Sequence, residues 1–576
     1  MSEIDSLRKS TDELLMHFTR RVEMMKNRNE YSILLRTLDK EKAIQFATSY
    51  FGEGEYQAVG IDGSMDQAET LEMLLFYVNA VAYSCPFKVL KDGILFDTYN
   101  MKKEEKIGAS SAVPLWVEDL SYVSEERRNF QVSDVQASLD DVSFSLMLLA
   151  ELTSALNSMS LSNVKVIFLD RPLSGTFQSL SRDVRYLLRK ERSSLQNIHS
   201  GDLMKDVFLL NAVPIPEMDV PLHGPNKIYH IMHKMLTENL TLKEACEDSN
   251  LGRQERERIT RAIVEKDRKY KFMYSNEMMS ADSINYMRRL ENTAEEVSRR
   301  LFSGEEHPLK VNENEWLTTI DLNLVNMVRL IQLIRKSIKD RSVLIGITKD
   351  TSSTDVSRSV VPAMGLGESS RPRIRHDRVM FTILSATNEN TFVPPWRSIG
   401  YDAVFATLSE DESTARLKAS RKVASREMMF VKSFFQTRVS SNTVFRSPVF
   451  MYDRAFMKEF DVHFCKEREY SERNQIERIK PYLESFGMNQ MDNMILLLLA
   501  SSDYPEVFEA YGHNALLYMA DKAAKVDAKL KRGMLLGTVS LKLTPMARKE
   551  RLFTVIRRYR ETRSEVEAMR AESEFQ

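Results

Sequence analysis

The chain has 576 residues, 43% hydrophobic and 28% charged, with 81 basic and 82 acidic side chains giving a net charge of −1. That length exceeds one compact core and predicts roughly two to four structural units. The near-neutral sum argues against a uniformly basic DNA-coating protein, but it leaves room for an acidic metal site and a basic groove that cancel. Cys85, Cys246 and Cys465 lie too far apart for a CxxC zinc site or a disulfide framework. The longest apolar run, around Met494 to Ala500, is far short of a bilayer span, and no secretory-type segment opens the chain. A cytoplasmic protein without membrane contact is expected.

In chain order, residues 1–50 form an N-terminal helical segment. Leu7, Leu14, Leu15, Phe18, Val22 and Met25 recur at helical spacing. That stripe suits a helix packed on its own domain or a dimer or partner contact. Tyr56 to Asp62 predicts a buried strand ending in Asp-Gly-Ser, and Leu71 to Tyr83 one or two further strands. Val142 to Leu156 has helical periodicity. Val164 to Asp170 is a second buried strand ending in aspartate.

Charge density then rises, strands give way to helices such as Leu242 to Glu265, Ser283 to Leu301 and Leu322 to Lys339, and a helical insertion over 181–340 is expected. Leu242 to Gly252 suits a helix-turn-helix or a plain helical hairpin. Strands return at Val343 to Thr348 and Val379 to Leu384, with a polar, mobile loop, Ser352 to Asp377, between them. The expected divisions are 1–50, a first sheet half over 51–180, the insertion, a second half over 341–540, and a basic C-terminal helix over 541–576. The fold class is α/β, a mixed sheet flanked by helices and interrupted by the insertion.

Five elements could carry chemistry. Asp62 and Asp170 end apolar strands, where α/β folds open their crevices. Read alone, each also suits an ordinary Asp turn. Glu151 lies in an apolar helix, 19 positions before Asp170, which sets a helical carboxylate beside a strand-end one as in ribonuclease-H-like architectures. Such carboxylates suit Mg²⁺ or Mn²⁺, hard ions that activate water and stabilise charge at a phosphodiester. His513 suits a metal ligand, a proton shuttle or a core histidine. Lys349, just past a strand, suits a phosphate contact or a charged turn.

Together, Ile61-Asp-Gly-Ser64, Glu151, Phe168-Leu-Asp-Arg-Pro-Leu-Ser174, Gly346-Ile-Thr-Lys-Asp350 and Tyr504-Pro505 with His513 resemble the NurA family of DNA-end nucleases. The resemblance covers roughly residues 50–180 and 341–530. It implies a ribonuclease-H-like fold and a Mn²⁺- or Mg²⁺-dependent 5′→3′ exonuclease with single-strand endonuclease activity. It also implies a homodimer partnered by a hexameric HerA translocase in end resection and recombinational repair. Asp62, Glu151, Asp170 and His513 would then hold metal, Lys349 would meet phosphate, and Tyr452 would stand near the site. Arg171 departs from the family's glycine, and the insertion is atypical.

A haloacid-dehalogenase-type reading of Asp170 fails because Pro172 stands where a second aspartate belongs. No GxxxxGK[ST] loop is present, so any motor is another chain. The rival expectation is a nuclease-like scaffold that binds DNA and a motor without cutting, in repair or in defence. The basic stretches Arg416 to Arg426 and Arg548 to Arg563 would serve either role.

Overall fold

The computed structural model describes residues 3–26, 29–70, 73–114, 132–213, 215, 227–249, 251–304, 309–312, 315–364, 376–387, 392–403, 408–410, 417–419, 429–439, 446–461, 468–472, 475–479, 482–484, 488–504 and 511–550. Eleven strands build one central sheet: β1 (Leu35–Thr37), β2 (Gly54–Thr70), β3 (Met73–Leu90), β4 (Gly93–Phe96), β5 (Lys102–Pro114), β6 (Val164–Leu169), β7 (Val343–Thr348), β8 (Trp396–Ser398), β9 (Tyr401–Asp402), β10 (Phe430–Gln436) and β11 (Phe450–Ala455). The order is β1-β8-β10-β11-β7-β6-β2-β3-β4, with β5 also on β3 and β9 on β10. Within this sheet only β2, β6 and β7 run parallel to one another; every other pairing is antiparallel.

Here β5, β3, β2, β6 and β7 lie side by side as third, second, first, fourth and fifth in chain order. The first three are antiparallel and the last two run parallel to the first. That is a ribonuclease-H-like arrangement. β6 and β7 are apolar almost throughout because helices cover both faces of this parallel part, as buried parallel strands require.

One face carries α3 (Val132–Ser158), α4 (Leu173–Lys190) and α10 (Thr319–Lys339), the last opened by a Thr318–Asp321 capping box. The other carries α2 (Lys40–Phe51), α12 (Gln490–Ser501) and the start of the long α13 (Ala515–Glu550). Gly60 lets α13 lie directly on β2: a Cβ there would meet the Leu516 backbone at 2.8 Å.

Between α4 and α10 the chain leaves the sheet through α5 (Leu203–Ala212), α6 (Lys227–Thr237), α7 (Leu242–Asp248), α8 (Arg253–Tyr270) and α9 (Tyr286–Phe302). This helical excursion shares one continuous apolar core with the α3 face of the sheet, through residues such as Val207, Phe208, Leu209, Val297 and Val325. The 180/181 division falls inside α4.

Several expectations change. β2 continues to Thr70, so Asp62 sits mid-strand and not at a strand end; its parallel neighbour β6 is what stops there. Val379 to Leu384 is helical, within α11 (Asp377–Thr387), because Met380, Phe381, Ile383 and Leu384 form a buried face at helical spacing. The expected loop before it holds helical turns over Val356–Ala363, and 365–375 lie outside the described residues.

The first 50 residues are not all helix: α1 (Glu3–Lys26) and α2 flank the edge strand β1, which pairs with β8. Leu242 to Glu265 breaks at Ser249 to Gly252 into α7 and α8, and Ser283 to Leu301 is interrupted at Asn285. Two short ribbons, Met273–Tyr274 with Met278–Met279 and Lys310–Asn312 with Glu315–Trp316, interrupt the helical excursion. Beyond residue 550, and over most of 411–428, the expected basic segments lie outside the described residues.

Candidate active site

A cleft of about 710 Å³ opens where β6 ends, lined among others by Asp62, Phe144, Glu151, Asp170, Arg171 and Lys349. Each acidic group comes from a different element. Asp170 follows the last β6 residue, and its N–H donates to the Ile61 carbonyl at 3.3 Å, closing the β2–β6 ladder. Asp62 is the next residue on β2. Glu151 completes a helical face of α3 formed with Phe144, Met147 and Leu148, at the i, i+3, i+4, i+7 spacing. Gly63 lets α3 approach, since a Cβ there would meet Met147 Cγ at 2.8 Å and also Glu151 Oε1.

Asp62 is 7% exposed; its Oδ1 accepts the Gly63 N–H at 2.8 Å, while its Oδ2 is buried without a hydrogen-bond partner. Burial first, then the neighbouring Asp170 and Glu151 carboxylates, push the Asp62 carboxyl up to about 10. Burial also raises Glu151, against the pull of Arg171. Arg171 Nε donates to Glu151 Oε2, and its guanidinium lies 5.5 Å from the centre of the Phe144 ring. Lys349 Nζ lies 2.5 Å from Asp170 Oδ2. Burial disfavours the Lys349 charge, but Asp170 and Asp62 outweigh it and raise the group.

The turn bearing Arg171 is held from afar. Pro172 caps α4 without a side-chain acceptor, and Asp453 of β11 supplies one. Its carboxylate accepts the N–H groups of Leu173 and Ser174, both at 2.8 Å, and the Ser174 hydroxyl at 2.5 Å. A carboxylate at a helix N-terminus satisfies free donors and complements the helix dipole. Asp453 escaped sequence reasoning, although it directly follows Tyr452. Tyr452 itself points to the opposite layer, fully buried, with its hydroxyl 3.1 Å from Asp492 Oδ1. Alternation along β11 separates the two.

His513 does not line the cleft. It stands just before α13, its ring stacked on Phe450 with centroids 5.4 Å apart. Around it the chain makes a turn and an isolated bridge between Asp503 and Asn514, and 505–510 lie outside the described residues. Burial, then Lys349, lower His513 to about 4, so the ring is neutral near pH 7. Its Nδ1 accepts the Asn514 N–H at 2.7 Å, which leaves the proton on the unpartnered Nε2. In this tautomer His513 donates; ligation of metal needs the other one. Asp521 of α13, which acts electrostatically on both Lys349 and His513, is a further acidic neighbour that sequence reasoning missed.

The donor set therefore fits a divalent ion chemically: hard carboxylate oxygens, one of them buried and unpartnered. Among the described residues, however, no three Asp, Glu, His or Cys side chains are disposed around one ion position. Arg171 and Lys349 hold two of the three carboxylates instead.

Fold and site together define a ribonuclease-H-like α/β protein with an acidic cleft at the end of its parallel strands. Solved structures similar to this chain include the NurA nuclease from Sulfolobus solfataricus, 10% identical, with a TM-score of 0.40 over 95% of this chain and 98% of that one. NurA bound to dAMP and manganese is 11% identical, with a TM-score of 0.39 over 94% and 98%. NurA with manganese is 12% identical, with a TM-score of 0.33 over 92% and 98%. No protein-family model matches the chain, and no curated protein matches its sequence. No helix among the described residues is long and apolar enough to cross a membrane.

Proposed function

We propose that the protein is a divalent-metal-dependent deoxyribonuclease. The observation that carries this reading is the convergence of Asp62, Glu151 and Asp170, from strand, helix and strand end, on one cleft where a buried Asp62 oxygen has no partner. Asp62, Glu151 and Asp170 would hold Mn²⁺ or Mg²⁺, with His513 joining them in its other tautomer. A bound divalent ion would supply an activated water and stabilise charge on the phosphoryl oxygens. Arg171 and Lys349 orient the phosphodiester, Arg171 through a planar fork that matches two oxygens and Lys349 as a point charge.

The finer reading is a 5′→3′ exonuclease and single-strand endonuclease acting as a cytoplasmic homodimer. It would work with a HerA-like hexameric ATPase in end resection. The chain carries no P-loop, so any such motor would be another chain.

A second reading, a scaffold that binds DNA and a motor without cutting, is favoured by the pairing of Glu151 with Arg171 and of Asp170 with Lys349. End-labelled linear DNA incubated with Mn²⁺ separates the two. Degradation by the wild type and its loss in Asp62→Ala support the nuclease. Equal degradation by both removes Asp62 from the mechanism. Activity in neither, with or without the ATPase, leaves the scaffold.

A further inference from the structure

We propose that Arg171 is a built-in counter-cation that withholds Glu151 from metal until a DNA phosphodiester draws it away, so that ion loading and substrate binding are coupled. This rests on the nuclease reading and adds a control to it.

The Arg171 and Glu151 side chains are 8% and 4% exposed, so their ion pair is almost dry. A buried carboxylate is costly without a cation, and a buried guanidinium is costly without an anion. Neither group can leave unless a replacement arrives for its partner. A divalent ion replaces Arg171 at Glu151, and a phosphodiester replaces Glu151 at Arg171. Arg171 already lies within the cleft, its guanidinium 5.5 Å from the centre of the exposed Phe144 ring, an attractive neighbour for the cation apart from Glu151.

Charge accounting points the same way. In the ion-bound state, three ionised carboxylates against Arg171 and Lys349 contribute one net negative charge. One divalent ion turns this into one positive charge, which a single phosphodiester neutralises. Each ligand thereby removes the penalty of the other, and such coupling is reciprocal. The unpartnered Asp62 oxygen marks where an ion could first make contact.

The test is calorimetric titration of Mn²⁺ into the full chain, with and without a short single-stranded phosphorothioate DNA, for wild type, Arg171→Gln and Arg171→Lys. The DNA is expected to tighten Mn²⁺ binding to the wild type about tenfold, within the usual range of coupling between sites. Arg171→Gln is expected to bind Mn²⁺ about tenfold more tightly than the wild type without DNA, and to lose most of the DNA effect. Arg171→Lys keeps the charge without the fork and is expected to fall between; with circular dichroism it controls for folding. Equal Mn²⁺ affinity in wild type and Arg171→Gln, unchanged by DNA, overturns the coupling and leaves the nuclease reading standing. No Mn²⁺ uptake by any form, with DNA or without, overturns both.

Discussion

Asp62 and Asp170 each follow directly on one member of a facing pair, Ile61 on β2 and Leu169 on β6, so two parallel strands deliver two carboxylates to one level of the sheet. Strand pairing fixes their relative height. The helical Glu151 then needs only the close approach that Gly63 allows.

Asp62→Asn is therefore expected to keep the fold and lose DNA cleavage by about a thousandfold, the several kcal/mol that metal-assisted charge stabilisation supplies. EDTA is expected to abolish wild-type cleavage and Mn²⁺ to restore it. Cleavage of labelled DNA at saturating Mn²⁺ reads both, and an Asp62→Asn rate within about twofold of wild type, where no catalytic stabilisation is lost, would refute the assignment.

Lys349 is a phosphate contact in this scheme. Lys349→Gln is expected to weaken single-stranded DNA binding irrespective of sequence and to reduce the slope of log affinity against log salt by about 0.7. Fluorescence anisotropy at several salt concentrations measures the slope. A weaker affinity with an unchanged slope would mean that Lys349 acts only by holding Asp170.

Asp377 gives a pH prediction away from the cleft. Its carboxylate accepts the Val356 and Ser357 N–H groups, both at 2.9 Å, yet burial, aided by nearby Asp355, raises it from 3.8 to about 7. A folded acid with a raised value binds a proton that the unfolded chain releases. Its stabilising contribution is present below about pH 4 and is lost as pH rises towards about 7, by up to about 1.4 kcal/mol per pH unit. Denaturation midpoints across that window, compared with Asp377→Asn, are expected to diverge with that sign. Parallel curves would show that Asp377 does not titrate there.

Gly346 tests the support of the Arg171 turn. A Cβ there would meet Asp453 Oδ1 at 2.5 Å, Leu173 Cγ at 3.0 Å and the Arg171 carbonyl. Gly346→Ala is expected to cost about 1–3 kcal/mol by overpacking. It should also lower cleavage more than an equally destabilising substitution remote from the cleft. Thermal unfolding alongside activity of the surviving folded fraction separates the two effects.

Much of this was legible in the residues. β6 and β7 stood out as uninterrupted apolar runs because both their faces are covered. Glu151 stood out as a carboxylate in an apolar helix. Val379 to Leu384 misled because a short apolar run fits strand or helix equally, and only packing decides. Strands of two or three residues, β1, β8 and β9, carry too little pattern to read. Asp453 was invisible because its partners lie 279 and 280 positions away. The tautomer of His513 depends on the Asn514 backbone, which no side-chain pattern encodes.

Asp62 rides in the middle of a strand with no loop between it and its neighbours. Insertion or deletion of one residue between Gly54 and Asp62 would turn that carboxylate to the opposite side of the sheet, unless the pairing with β6 were rebuilt. The turns between the helices from α4 to α10 obey no such register rule, and their length can change so long as the apolar core they share with α3 is kept. The two regions should accordingly diverge under opposite rules: fixed length with drifting composition in the first, drifting length in the second.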